Sequence, residues 1–198
     1  YEQMPYIFNA GIYLTTPTTD TGTGYIYTWT VQSASTDAIS TTDLGTLVVE
    51  VGDNNDVEIA RFAFVREYTL TGKQGEGMMV SATLETRAPS TSTFTAVGST
   101  DFDNAAETIL FSKVALYIDD STGTIGTTQV TETILDFSLK HTTGWVPLPA
   151  RDGRLDFSNI KHIDDEIMAE MTWEHNTNAT TEKAKWRAQT ERAIRIQW

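Results

Sequence analysis

A mainly β, antiparallel fold is what this sequence predicts, and three observations carry the prediction. Several segments alternate apolar and polar residues with a period of two, as strands covered on one side do. Those segments are rich in Thr, Val, Ile and aromatic residues, which suit a pleated, half-covered surface. The stretches between them are built from Gly, Thr, Ser, Asn and Asp, the residues of turns. At 198 residues the chain can bury a proper core, and 39% hydrophobic with 21% charged residues fits a globular protein.

The first stretch, 1–14, reads as a short helix or turn, with Pro5 near its start and Gly11 as its stop. A Thr/Gly/Pro loop over 15–24 leads to an aromatic strand over 25–31, then a polar loop over 32–43. Residues 44–51 read as a strand closed by the tight turn GDNND. The run 57–73 is too long for one unbroken strand and shifts phase near Ala60 and Arg61, where a bulge or bend is expected. Beyond Phe64, Tyr68 and Leu70 point one way and Glu67, Thr69 and Thr71 the other. Gly72, Gly75 and Gly77 make a loop. The chain returns over 78–87, with Met78, Val80, Ala82 and Leu84 opposed to Met79, Ser81, Thr83, Glu85 and Arg87.

A Ser/Thr-rich surface loop is expected over 88–106, then a short strand holding Val114, Leu116 and Ile118, turned back by DDSTGTIG. The stretch 131–176 has the clearest pattern. Thr133, Leu135, Phe137 and Leu139 share one face against Asp136, Ser138 and Lys140. Later Ile167, Ala169, Met171 and Trp173 share a face against Glu166, Met168, Glu170, Thr172 and Glu174. Each strand is expected to cover a core with its apolar side and to leave a wet, acidic one. The run NATTEKAKWRAQT reads as a helix capped by Asn178 or Thr180 and anchored by Trp186, and 193–198 as a last strand. The two hairpins echo each other: Met78, Val80, Ala82 and Leu84 correspond to Ile167, Ala169, Met171 and Trp173, and Glu85 to Glu174.

A formal charge of −13 argues against ordinary nucleic-acid binding, which needs Lys and Arg to neutralise phosphates, and against an anionic membrane surface. No apolar run approaches the roughly 20 residues that span a bilayer. With no cysteine there are no disulfides, thiolate ligands or thiol nucleophiles. Asp20-Thr21-Gly22 has the tripeptide of aspartic proteases but lacks the apolar strand before it, so it reads as a turn. Asp53–Asp56 and Asp119-Asp120 lack the alternating ligands and terminal Glu of a calcium loop and read as turns, and the acidic run Asp164-Asp165-Glu166 reads as a solvated turn before a strand, not a metal site. His141, His162 and His175 are scattered without metal-ligand spacing. Gly72-Lys73-Gln74-Gly75 lacks phosphate-loop spacing, and Asn178-Ala179-Thr180 matters as a glycosylation sequon only in a secretory pathway. No nucleophile–base pair stands out, so neither catalysis nor a metal or other cofactor is expected.

Several runs together resemble the tail tube (major tail) proteins of long-tailed bacteriophages. They are LVVEVGDNN, REYTLTGKQGEGMMVSATLETRAP, ETILFSKVALYIDDSTGTIGTTQ, FSLKHTTGWVPLPARDGRLDFSNIKHIDDEIMAEMTWEHN and KWRAQTERAIRIQW, covering most of 44–198. The resemblance is one of whole segments, without a catalytic signature. It implies one antiparallel β-sandwich domain over 1–198 with two long hairpins and one or two short helices. Hexameric rings of it would stack head to tail into a hollow tube. Four hairpin strands from each subunit would close a lumen barrel of about 24 strands. The implied setting is the virion tail, assembled in the host bacterial cytoplasm. The implied partners are other copies of the chain, tape-measure and tail terminator proteins, and double-stranded DNA in passage, with no membrane.

On that resemblance the candidate lumen positions are Glu67, Thr69, Ser81, Thr83, Glu85, Asp136, Ser138, Glu166, Glu170, Thr172 and Glu174, an acidic lining that repels phosphates. Lys140 and Arg87 interrupt it and are either paired or outside the lumen. The excursion 142–163 is a candidate arm between subunits through Trp145, Pro147, Pro149, Arg151 and Arg154, or else folds back onto its own sandwich. The chain opens on Tyr1 and stops at Trp198 inside a strand-like run, and family members extend beyond both ends, so it is expected to be partial. A different class stays open: a secreted β-sandwich that binds carbohydrate or mediates adhesion, with Tyr25, Tyr27 and Trp29 as a flat platform.

Overall fold

A computed structural model describes residues 4–20, 22, 24–31, 44–53, 55–95 and 108–197. The polar loop read over 32–43 and most of that over 88–106 lie outside the described residues. The fold is mainly β, with antiparallel sheets and two short helices. In order come helix α1 (Met4–Gly11) and strands β1 (Thr18–Thr19), β2 (Tyr25–Ile26), β3 (Leu47–Gly52), β4 (Val57–Lys73), β5 (Met79–Glu85) and β6 (Ser90–Ser92). A single 3₁₀ turn (Phe111–Lys113) precedes β7 (Ala115–Asp120), β8 (Gln129–Val130), β9 (Ile134–Thr142), β10 (Trp145–Leu148), β11 (Asn159–His162) and β12 (Glu166–Trp173). Helix α2 (Thr177–Arg187) and strand β13 (Arg192–Gln197) complete the chain's described part.

The main sheet is organised on β4 and runs β12-β9-β4-β3, with β5 and β6 also paired to β4. Val57, Glu58 and Ile59 are bonded on both sides, to β3 and to β6. The expected bulge is present: Leu47 faces Ala63 but Val49 faces Ala60, so β4 carries one extra residue. That residue step is absorbed at Phe62, which takes the left-handed conformation (φ 58°), an unusual state for a bulky side chain. It turns the Phe62 ring edge-on to Phe157 at 5.9 Å and under the Arg87 guanidinium at 4.3 Å.

The residues form two compact units, and the division falls within β4, β5, β9 and β12. The first comprises 1–69, 81–106 and 140–167. Its core clusters Leu44, Phe64, Trp145, Phe157 and Ile160. Trp145 is 1% exposed, so it is no arm residue; the excursion folds back and fills its own unit. The turn explains this. Gly144 is left-handed (φ 72°), and a Cβ there would sit 2.4 Å from the Ile163 carbonyl oxygen, so only glycine lets the chain double back. Thr143 anchors the turn by donating its hydroxyl to the Val65 carbonyl at 2.7 Å. β10 and β11 then pair in register from Trp145–His162 to Leu148–Asn159.

Elsewhere in this unit the expected aromatic strand shortens to β2. Trp29 leaves it because its indole N–H donates to Asn9 Oδ1 at 3.0 Å while its ring meets Phe8 edge-on. Arg87 serves structure, donating to the Ser158 carbonyl at 2.8 Å.

The second unit comprises 70–80, 107–139 and 168–198. β7 pairs with β13 from Asp120–Arg192 to Ala115–Gln197, and with β8 on its other side. Leu70, Phe111, Leu116, Ile118 and Phe137 are buried. Gly72 allows β4 to press on this cluster, since a Cβ would lie 2.6 Å from Phe111, 2.7 Å from Met78 and 2.9 Å from Phe137. The Asp119 carboxylate gathers the following loop, accepting from the backbone N–H of Gly126, Thr127 and Thr128 and the Thr127 hydroxyl. Those bonds hold its carboxyl well below the usual range.

Two expectations fail in this unit. The cap of α2 is Asn176, whose Oδ1 accepts from Ala179 N–H at 3.0 Å; its amide also donates to the Glu132 carbonyl. Trp186 does not anchor the helix: it is 75% exposed, and α2 buries no residue. One large apolar residue in an otherwise polar helix makes no stripe to seat.

Candidate functional site

The alternating faces of four strands supply the site. In the first unit they set polar groups in a row. The Thr83 hydroxyl on β5 donates to Glu67 Oε1 on β4 at 3.4 Å, and Lys140 Nζ on β9 lies 2.7 Å from Glu67 Oε2. Glu166 opens β12, and its charge acts on the same ammonium. Lys140 holds the Glu67 carboxyl below its ordinary value; Glu67, with Glu166, holds the Lys140 ammonium above its own. Thr69 is half-buried and Ser81 exposed. Glu85 leaves the row, its carboxylate bonded to Arg66 at 2.7 Å.

In the second unit Thr71 and Lys73 on β4, Asp136 and Ser138 on β9, and Glu170 and Thr172 on β12 line one hollow of about 390 Å³. Glu174 follows β12, exposed, with its backbone N–H bonded to the Thr133 carbonyl at 2.7 Å. The candidate lumen residues therefore gather into two clusters, one in each unit. Glu67 and Glu85 are neutralised by neighbours. Asp136, Glu170 and Glu174 have no ion-pair partner among the described residues.

The expectation that the apolar side of β12 covers a core is not met. No residue of Glu166–Trp173 is buried: Ile167 and Met168, on opposite faces, are 52% and 51% exposed. β5 is likewise unburied along its whole length. Among the described residues both strands pair on one side only, β12 with β9 and β5 with β4, and both are exposed or at most half-buried throughout.

The candidate arm residues divide. Trp145 is core, and Pro147 is half-buried in β10. Pro149, Arg151 and Arg154 stand on the exposed loop, where Arg154 pairs with Asp156 at 2.8 Å.

The sequence pattern missed a buried polar chain in the first unit. His141 Nδ1 lies 2.9 Å from the Tyr68 hydroxyl and its Nε2 3.0 Å from Asp165 Oδ2; His162 Nε2 is 2.6 Å from Asp165 Oδ1. Burial depresses the His141 pKa against the pull of Asp165, and burial together with the Asp165 charge raises that of Tyr68. All four groups are engaged with one another, an arrangement that fastens β9 to β4 and to the segment entering β12. Sequence spacing does not reveal it, because Tyr68 and His141 meet only through strand pairing.

Tyr27 and Trp29 are stacked on each other at 5.5 Å, so they do not lie side by side as a flat platform. The Asp20 N–H is bonded to the Gly24 carbonyl at 3.0 Å; Thr21 of the Asp20-Thr21-Gly22 tripeptide lies outside the described residues. Among the described residues no group of three or more His, Cys, Asp or Glu is placed to hold a metal ion, and no helix is long and apolar enough to cross a membrane. Compared with known proteins, the chain matches no family model and no curated sequence.

Proposed function

We propose that this chain is a structural subunit of the tail tube of a long-tailed bacteriophage: a sandwich-type subunit that forms stacked hexameric rings whose channel conducts DNA. One observation carries the reading, the unfinished state of β5 and β12. Among the described residues each is a sheet edge with no buried residue on either face, and each lacks the proline or lysine that proteins place on edges to block pairing. β12 also exposes Ile167 and Met168, which makes an unpartnered edge costlier still.

A neighbouring copy removes the fault. When β5 of one subunit continues the sheet beyond β12 of the next, a ring of such pairings closes and no edge remains. The alternate set Ile167, Ala169, Met171 and Trp173 then turns outward against the body of the assembly. Glu166, Glu170, Thr172, Glu174, Asp136, Ser138, Glu67, Thr69, Ser81 and Thr83 turn inward, Glu85 following β5 though tied to Arg66.

The chemistry of that inward set suits passage. Carboxylates repel phosphate and outnumber the two lysines among them: Lys140 is held by Glu67, and Lys73 shares its hollow with Asp136 and Glu170, so DNA meets few of the counterion-releasing contacts that would slow it. Its partners are other copies of itself and the proteins that measure and close a tail. It acts in the virion after assembly in the host cytoplasm, with no enzymatic step and no membrane insertion.

Purified protein imaged by negative-stain electron microscopy over a concentration series tests the reading. Rings and hollow filaments that lengthen with concentration are expected; a monomer at every concentration contradicts it.

A further inference from the structure

Charge is segregated along this chain. No Lys or Arg precedes Arg61, whereas eight Asp and Glu do, and residues 177–197 hold five of the fourteen cations but only two of the 27 carboxylates. The two extremes each coincide with exposed apolar side chains.

The basic end belongs to the second unit. There α2 and β13 flank an apolar hollow of about 560 Å³ walled by Trp173, Trp186 and Ile194. Arg192 is already matched by Glu182 and Asp120, and Lys185 lies 4.0 Å from Asp120. Lys183 and Arg187, four residues apart and so on one side of the helix, have no ion-pair partner among the described residues. An exposed indole beside two unmatched cations fits a segment that is acidic and partly apolar.

The acidic end belongs to the first unit. The turn from β3 to β4 carries Glu50, Asp53, Asp56 and Glu58, and beside them Val48 and Val51 are exposed. Asp53 Oδ1 accepts from the backbone N–H of Asn55 and Asp56, and Gly52 is so tight against the Asp56 carbonyl that a Cβ would lie 2.0 Å from it. These contacts hold Gly52, Asp53, Asn55 and Asp56 in place beforehand, which lowers the ordering entropy that docking costs. Asp53, Asp56 and Glu58 make no ion pair within the described residues.

We propose that the β3–β4 turn of one copy docks on the Trp186 groove of a second copy, an inference that rests on the tail tube reading and names a surface for it. Val51 and its neighbours cover the indole, while Asp56 and Glu58 meet Lys183 and Arg187. Because the two surfaces differ, the contact is head to tail, the kind of pairing that builds a filament when successive copies do not close into a ring. Its rim of charges makes it sensitive to salt.

The test reverses each surface separately. One variant carries Asp56→Lys and Glu58→Lys, which spares the turn-holding Asp53; the other carries Lys183→Glu and Arg187→Glu. Thermal melts establish that both fold. Each alone is expected to need about tenfold more protein than the unaltered chain to form filaments, and an equimolar mixture to restore them, since each reversed surface then meets its complement. Trp186→Ala, which leaves all charges in place, is expected to weaken assembly in the same direction. Either double variant assembling alone like the unaltered chain, or a folded mixture that stays short, overturns the docking while leaving the tube reading intact. An unaltered chain that never assembles overturns both.

Discussion

Trp145 and Trp186 are the same residue put to opposite uses. Trp145 follows a left-handed glycine, in a turn that the Thr143 hydroxyl anchors to the Val65 carbonyl, and lies 1% exposed among Phe64, Phe157 and Ile160. Trp186 stands on a helix that is capped by Asn176 and clamped by the Glu182–Arg192 pair, yet buries nothing. The first unit puts the Trp145 indole into its own core, although it also exposes Val48, Val51 and Leu155. The second holds its helix by polar contacts and leaves the indole free, as a surface meant for something else would be. The same contrast separates β4, buried through Ala63, Phe64 and Val65, from β5 and β12, which are buried nowhere.

The contrast breaks most plainly at Trp145. Trp145→Ala should cost about 3–5 kcal/mol, the usual toll of emptying a core site of a large aromatic, read from urea unfolding. A loss below 1 kcal/mol would mean the excursion is not integral to the first unit. In the second unit Gly72→Ala should cost about 1–3 kcal/mol, because the new methyl group meets Phe111, Met78 and Phe137 together. A neutral result would show that this cluster gives way easily.

Acid should weaken the first unit through His141. Its pKa is depressed in the folded chain, so between the folded value and the ordinary 6.5 the unfolded chain holds the extra proton. The stabilising contribution is whole above about 6.5 and fades as pH falls through the folded value. Unfolding free energy measured from pH 7.5 down to 5.5 should therefore fall, and His141→Gln should flatten that slope. An equal slope in the variant would assign the acid sensitivity to other groups. Smallest of all, Trp186→Ala should change the stability of the dissociated chain by no more than about 0.5 kcal/mol, while lowering its tendency to assemble.

Much of this was legible in the residues. The phase shift at Ala60 and Arg61 announced the bulge that Phe62 absorbs, and the alternation over 131–140 placed Thr133 and Phe137 inside. Alternation names the two faces of a strand without saying what covers either, which is why β12 reads as half-buried and is not. For the same reason an isolated Trp reads equally well as core or as contact. Gly144 decides the matter for Trp145, through a backbone conformation that no pattern of polarity encodes. The His141 chain was invisible because its members are 73 and 24 residues apart and are joined by pairing of distant strands.

Helical reconstruction of assembled filaments, at a resolution that traces side chains, would locate the acidic set outright. Asp136, Glu170 and Glu174 are expected on the wall of an axial channel, with β5 of one subunit bonded beside β12 of the next. Filaments that carry these carboxylates on their outer surface, or that leave the two strand edges unpaired, would contradict the conduit.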